Sequence, residues 1–330
     1  MNPADERVPT REVRDPWNRG TPILLDGFTE RHRFEPWFAA LIVLVLCWLL
    51  FQAVIAPVAI FALLAVTGVD LLGLLEELQT SGMGALDQYT AHLLGANTIG
   101  LVFAFGIPAL ILARMSSTSP LAFLRMRTSD VGLVLLGLVA WAFLVPVVQL
   151  TAQLNAALPW PAEVRTWEEQ MLEPITRFLE QPGSLVPSLL MIAVAPAICE
   201  ELLFRGYIQR QLERSMGASW SIALSGILFG AYHLQPTKVV PLALLGVFFA
   251  YLTWRSGSLI PAMVAHFAQN ASAIFLSRYA SASPGRELAD LDAMSVPWYL
   301  GILAIAFLCG LVYLLNRRAG SVLQLEPGIT

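Results

Sequence analysis

Three short runs in this sequence combine ionisable or amide side chains with an apolar setting, where charge is expensive and usually functional. Glu200, Glu201 and Arg205 form an E-E-x-x-x-R run. Phe229 and His233 form F-x-x-x-H, and His266 and Asn270 form H-x-x-x-N, while Pro196 stands one turn before Glu200. Glu201 and Arg205 are i, i+4 with the acid first, the favourable order for a helical ion pair. Glu200 lies about 100° further round the helix. It has no partner on its own element, so another helix must supply one. His266 and Asn270, also i, i+4, face the same way. Pro196 has no N–H for the carbonyl of Ile192 and should kink the chain beside Glu200. A buried carboxylate near imidazoles suits proton transfer, either to activate a water or to relay protons across a membrane. Each group also has a structural reading. A lone membrane histidine can be an interhelical hydrogen bonder, a Glu–Arg pair a fastener, and an asparagine packing glue. Two histidines, an asparagine and an unpaired glutamate on three helices together exceed what packing needs.

These groups must be brought to one depth. The polar stretch Arg205–Ser219 contains Ser215-Met216-Gly217, a natural turn between two helices. An antiparallel hairpin turning there puts Glu200 and His233 level, each roughly 24 Å from the turn at 1.5 Å per residue. His233 is therefore the partner expected for Glu200.

The composition supplies the setting. Of 330 residues, 56% are apolar and only 13% charged, and the mean hydropathy is +0.65. A soluble domain carries roughly a quarter charged residues, so most of this surface faces something other than water. The net charge of -4 argues against a nucleic-acid partner. Eight runs are apolar enough to read as spans: Trp37–Val66, His92–Arg114, Val131–Thr151, Gly183–Phe204, Ala218–Leu234, Val239–Trp254, Leu259–Ser277 and Pro297–Asn316. With the N-terminus inside, 15 of the 20 Lys and Arg residues fall on the cytoplasmic side, as the positive-inside rule requires. The expected class is thus an all-α polytopic membrane bundle of about eight transmembrane helices. It lies in the cell membrane with the lipid bilayer as its partner and both termini cytoplasmic.

Met1–Pro36 opens with charged residues rather than a signal peptide and reads as an extended or disordered cytoplasmic tail. Residues 37–182 hold the first helices and two outer amphipathic loops, 183–277 the polar cluster, and 278–330 the last span and a cytoplasmic tail. In Glu163–Glu180, Trp167, Met171, Ile175 and Phe178 recur at helical spacing, which suggests an interfacial helix. Asp70–Asp87 is similar. Cys47, Cys199 and Cys309 sit singly in apolar runs and read as small core hydrophobes.

The three motifs, in this order and each within an apolar run, resemble the CAAX prenyl protease and bacteriocin-processing (CPBP, or ABI) family of intramembrane proteases. The resemblance spans Gly183–Ser277. It implies peptide-bond hydrolysis within the membrane on a peptide or membrane-protein substrate. It also implies roles: Glu200 and His233 activate a water, His266 and Asn270 stabilise the oxyanion, and Glu201 with Arg205 supports the site. A peptide carbonyl is inert, so hydrolysis needs an activated water and donors aimed at the developing charge. No cofactor is needed on that reading, which the resemblance favours. The alternative within the family is a zinc site of Glu200, His233 and His266 with an open position for water. A non-enzymatic scaffold or immunity-type protein on the same fold is the alternative outside it. A proton-coupled transporter would show broken half-helices and repeat symmetry, and the sequence has neither.

Overall fold

Proline and glycine decide where the long apolar runs bend. In the computed structural model, which describes residues 11–13, 23–281 and 296–325, the first long helix is Pro36–Val66 (α2). It follows a two-stranded antiparallel ribbon of Arg11–Val13 (β1) and Ile23–Leu25 (β2) and a single turn, Phe28–Arg31 (α1). Within the tail expected to be extended or disordered, the described residues form this extended ribbon and the turn α1. Ile23 and Leu25 are buried against the bundle, so this part of the tail gains enough apolar burial to offset the cost of ordering it. The remainder of the expected tail, 1–10 and 14–22, lies outside the described residues, as do 282–295 and the last five residues.

After α2 come Leu71–Ser81 (α3), capped by the Asp70 carboxylate on the N–H of Leu72 at 3.1 Å, and a 3₁₀ stretch, Gly82–Tyr89. Next are Thr90–Ser116 (α4), the short Pro120–Phe123 (α5), Val131–Ala156 (α6) and the amphipathic Ala162–Glu180 (α7). Leu185–Tyr232 (α8) is one 48-residue run. Pro236–Ser256 (α9), Ile260–Ser281 (α10) and Trp298–Leu325 (α11) complete the bundle.

Three of these helices widen into π turns directly before a proline: Leu50–Ile55 before Pro57, Val102–Gly106 before Pro108, and Leu189–Val194 before Pro196. The ring of proline would clash with the carbonyl four residues earlier, and a wider turn moves that carbonyl aside. A fourth π turn, Leu202–Ile208, contains no proline and carries Arg205.

Six helices among the described residues are long and apolar enough to cross a membrane: α2, α4, α6, α8, α9 and α11. The chain is a multi-pass membrane protein whose bundle is all helical. The count differs from the eight expected for two reasons. The expected spans Gly183–Phe204 and Ala218–Leu234 merge, apart from their outer ends, into the single run α8. The expected span Leu259–Ser277 forms as α10, but its His266, Gln269, Asn270, Ser272, Ser277 and Arg278 leave it too polar to qualify on composition.

α8 is a hairpin. Gly217 takes φ 78° and ψ 175°, which breaks the helix, and only glycine adopts such a conformation without strain. The two arms then run back to back, with the Phe204 ring 5.3 Å from both Phe229 and Tyr232. The second arm packs closely on α9 through Gly226 and Gly230. A Cβ at Gly226 would come within 2.5 Å of the backbone nitrogen of Val247, and one at Gly230 within 2.6 Å of the carbonyl oxygen of Val239. This is the small-residue contact that lets membrane helices approach closely.

Candidate active site

The tight seam between α8 and α9 brings backbone and aromatic groups onto the first motif. Arg205 and Glu201 are wholly buried and paired, with Arg205 NH1 2.9 Å from Glu201 Oε1. Arg205 NH2 donates to the carbonyl of Gly246 at 3.1 Å, and the guanidinium lies over the Phe229 ring, 4.2 Å from its centroid. The sequence-level pairing of Glu201 with Arg205 is therefore present. The carbonyl and the ring add what a single carboxylate does not: acceptors on two sides of a cation that has no water.

α10 delivers the third motif to the same place. His266 Nδ1 lies 2.9 Å from Glu201 Oε1, the same oxygen that receives Arg205. The imidazole stacks on Phe249 at 5.0 Å with 15° between the planes and meets the edge of Phe229 at 5.8 Å. Phe229 belongs to the larger apolar core and Phe249 to the second one, so His266 is wedged where the two cores meet. With Nδ1 donating to the carboxylate shared with Arg205, the other nitrogen, Nε2, carries the lone pair. That nitrogen is 4.0 Å from Glu200 Oε2, close enough for charge to be felt and too far for a direct hydrogen bond. Glu200 Oε2 is buried without a hydrogen-bond partner.

Asn270, one turn further on, donates its amide to the carbonyl of Ile192 at 3.0 Å. This is the carbonyl that Pro196 leaves without a helical donor. The side chain has a second N–H for other use.

His233 ends the second arm of α8. Its Nδ1 donates to the carbonyl of Phe229 at 2.7 Å, which fixes the proton on Nδ1 because a carbonyl only accepts. The ring sits 4.8 Å from that of Phe229. The hairpin has the register expected from the turn, but Glu200 and His233 make no direct ion pair; the ionisable ring facing the Glu200 carboxylate at 4.0 Å is His266. Among the described residues no group of three His, Cys, Asp or Glu side chains is arranged to hold a metal. The zinc set Glu200, His233 and His266 is therefore not assembled here.

Glu168 belongs to the site although no motif includes it. This buried carboxylate on α7 accepts from the backbone N–H of Thr237 at 3.0 Å and from the Thr237 hydroxyl. Asn155 on α6 donates to the carbonyl of Pro236 at 2.9 Å. Both clamp the loop that directly follows His233, where Leu234 takes φ 53°. Helical spacing sets Glu168 beside the apolar stripe of Trp167, Met171 and Ile175 and Glu169 away from it; the Thr237 partner comes only from the packing of α7. The sequence signal for the α8–α9 seam is Gly226-x-x-x-Gly230.

A cavity of about 750 Å³ opens beside the site. Ile192 and Pro196 line it on one side, Leu94 and Asn97 of α4 on another, and Met171 and Ile175 of α7 form its cover.

Residues 182–272 match the family model of Rce1-like type II CAAX prenyl endopeptidases. No curated protein and no solved structure matches the chain. The matched segment contains all three motifs, both arms of the α8 hairpin and the part of α10 that carries His266 and Asn270. This multi-pass membrane protein thus carries, over residues 182–272, a domain of the Rce1-like type II CAAX prenyl endopeptidase (CPBP) family.

Proposed function

We propose that the chain is an intramembrane endopeptidase in which Glu200 is the base that activates water. The observation that carries this reading is the contrast between two adjacent carboxylates. Glu201 is committed to Arg205 and His266, whereas Glu200 Oε2 is buried, unpartnered and 4.0 Å from an imidazole nitrogen. A water proton passes to Glu200, assisted by His233, whose Nε2 is left free by the Nδ1–Phe229 bond. The hydroxide attacks the scissile carbonyl. Asn270 has one amide N–H left for the developing oxyanion. His266 presents a lone pair at Nε2 in the resting tautomer, so it serves the oxyanion once the proton taken from water by Glu200 has passed to Nε2. That proton then goes to the leaving amine as the C–N bond breaks.

The cavity beside Pro196 supports substrate access along the face covered by α7. The arginine distribution supports an N-in, C-in orientation. Eight crossings satisfy it when the arms of α8 count separately and α10 crosses with its polar face inward.

The test is cleavage of a peptide library by the purified full chain, with metal content measured on the same sample. Wild-type cleavage with Glu200→Gln silent supports the assignment. An active Glu200→Gln protein overturns it. A Glu200→Gln protein restored by added zinc would favour the metal mechanism.

A further inference from the structure

A second pocket, far along the chain from the candidate active site, is built where α1 docks on the end of α4. Its volume is about 830 Å³, and its charged lining groups are Asp26, Arg31 and Arg114. The docking is tight. Gly27 N donates to the carbonyl of Ser116 at 3.2 Å, and Thr29 Oγ1 donates to that of Met115 at 3.1 Å. A Cβ at Gly27 would lie 2.0 Å from the Met115 carbonyl oxygen, so only glycine permits the contact. These bonds satisfy carbonyls at the C-terminal end of α4 that would otherwise repel an anion. Asp26 is engaged with the backbone N–H of Thr118 at 2.9 Å. Arg31 and Arg114 are exposed and have no ion-pair partner among the described residues. The pocket therefore keeps a net positive charge.

Its position gives the occupant. Leu110 and Ile111, about one turn before Arg114 on the same helix, are 39% and 54% exposed in a segment that crosses the bilayer. Phe28, Phe34, Trp37 and Phe38, at the start of the same corner, are each about half exposed, as in the aromatic belt at headgroup level. The wall is thus apolar toward the membrane and cationic toward the surface. We propose that this pocket binds the headgroup of an anionic phospholipid. Arg31 and Arg114 take the phosphate in charge-assisted hydrogen bonds, and the acyl chains run down Leu110 and Ile111. The site is independent of the protease reading.

The experiment is native mass spectrometry of the full chain from micelles doped with equimolar phosphatidylglycerol and phosphatidylcholine. The expected result is about a tenfold preference for phosphatidylglycerol in retained lipid, from two interfacial arginines partly offset by Asp26. It should fall to near parity in Arg31→Gln/Arg114→Gln, with an unchanged melting temperature. The single variants Arg31→Gln and Arg114→Gln, which are milder, should each lower it. Arg317→Gln, an exposed cation elsewhere, should leave it intact. The proposal is overturned if the wild type shows no preference, if the double variant keeps it, or if Arg317→Gln lowers it equally. It is also overturned if millimolar inorganic phosphate strips the lipid as fully as the double substitution, since the ligand would then be the free anion.

Discussion

Asn270 on α10 donates to the carbonyl of Ile192 on α8, the one backbone acceptor that Pro196 leaves open beside Glu200. One side chain thereby repairs a helix defect and fixes the distance between two helices of the candidate site. Replacing Asn270 by alanine should orphan that carbonyl at a cost of about 1–3 kcal/mol. It should also lower cleavage by roughly 10²–10³ if the second N–H serves the oxyanion. Adding Pro196→Ala returns a backbone donor to Ile192. The melting temperature of Pro196→Ala/Asn270→Ala should therefore exceed the value expected from adding the two single losses. Simple additivity in thermal unfolding would mean that the amide does not act as the cap.

Glu200→Gln and Glu201→Gln should separate chemistry from stability. The first keeps size and hydrogen bonding, so turnover should vanish while the melting temperature holds. The second leaves Arg205 buried without its counter-ion, which costs roughly 3–5 kcal/mol, and frees His266 Nδ1 from its carboxylate. Folded yield and rate should fall together. Equal melting temperatures for the two variants would contradict this division.

Gly226→Leu should force α8 and α9 apart, because its first carbon alone would meet the Val247 backbone at 2.5 Å. Overpacking of this kind costs about 1–3 kcal/mol or more. It also pulls the Gly246 carbonyl from Arg205. Thermal unfolding should report the loss, and a melting temperature at the wild-type value would show that the seam is slack.

Asp130 bridges α6 to α11 through Arg318, with Nε and NH2 at 2.9 and 2.8 Å. The hydrogen bond from Arg318 holds the carboxyl below its usual value. A lowered folded pKa means that the bridge contributes above the unfolded value of about 3.9 and is lost as pH falls through the folded one. Asp130→Asn keeps the cap on Leu133 and removes the charge. Wild type should therefore lose more melting temperature than Asp130→Asn between neutral pH and pH 3, and parallel curves would exclude the linkage.

Tags at the two termini should report the same, cytoplasmic side, and a tag within 163–180 the opposite side. Opposite reports from the two termini would break the even span count.

The order and spacing of the motifs, the hairpin through Gly217 and the Glu201–Arg205 pair were all legible in the sequence. Each depends on local relations: one helical turn, one glycine, one stretch of apolar residues. The membrane setting was legible for the same reason, because hydropathy is a sum over neighbours. Which of two adjacent carboxylates meets His266 was not. Glu200 and Glu201 differ by about 100° on one helix, and only the placement of α10 against α8 decides that Glu201 takes the imidazole and leaves Glu200 open. The capture of the Ile192 carbonyl by Asn270 and the partner that Glu168 finds at Thr237 are decided the same way. Each needs a partner more than 60 residues away. The span count divides along this line as well. Apolar length is local, but whether a polar helix such as α10 belongs inside the bundle depends on neighbours that cover its amides and imidazole.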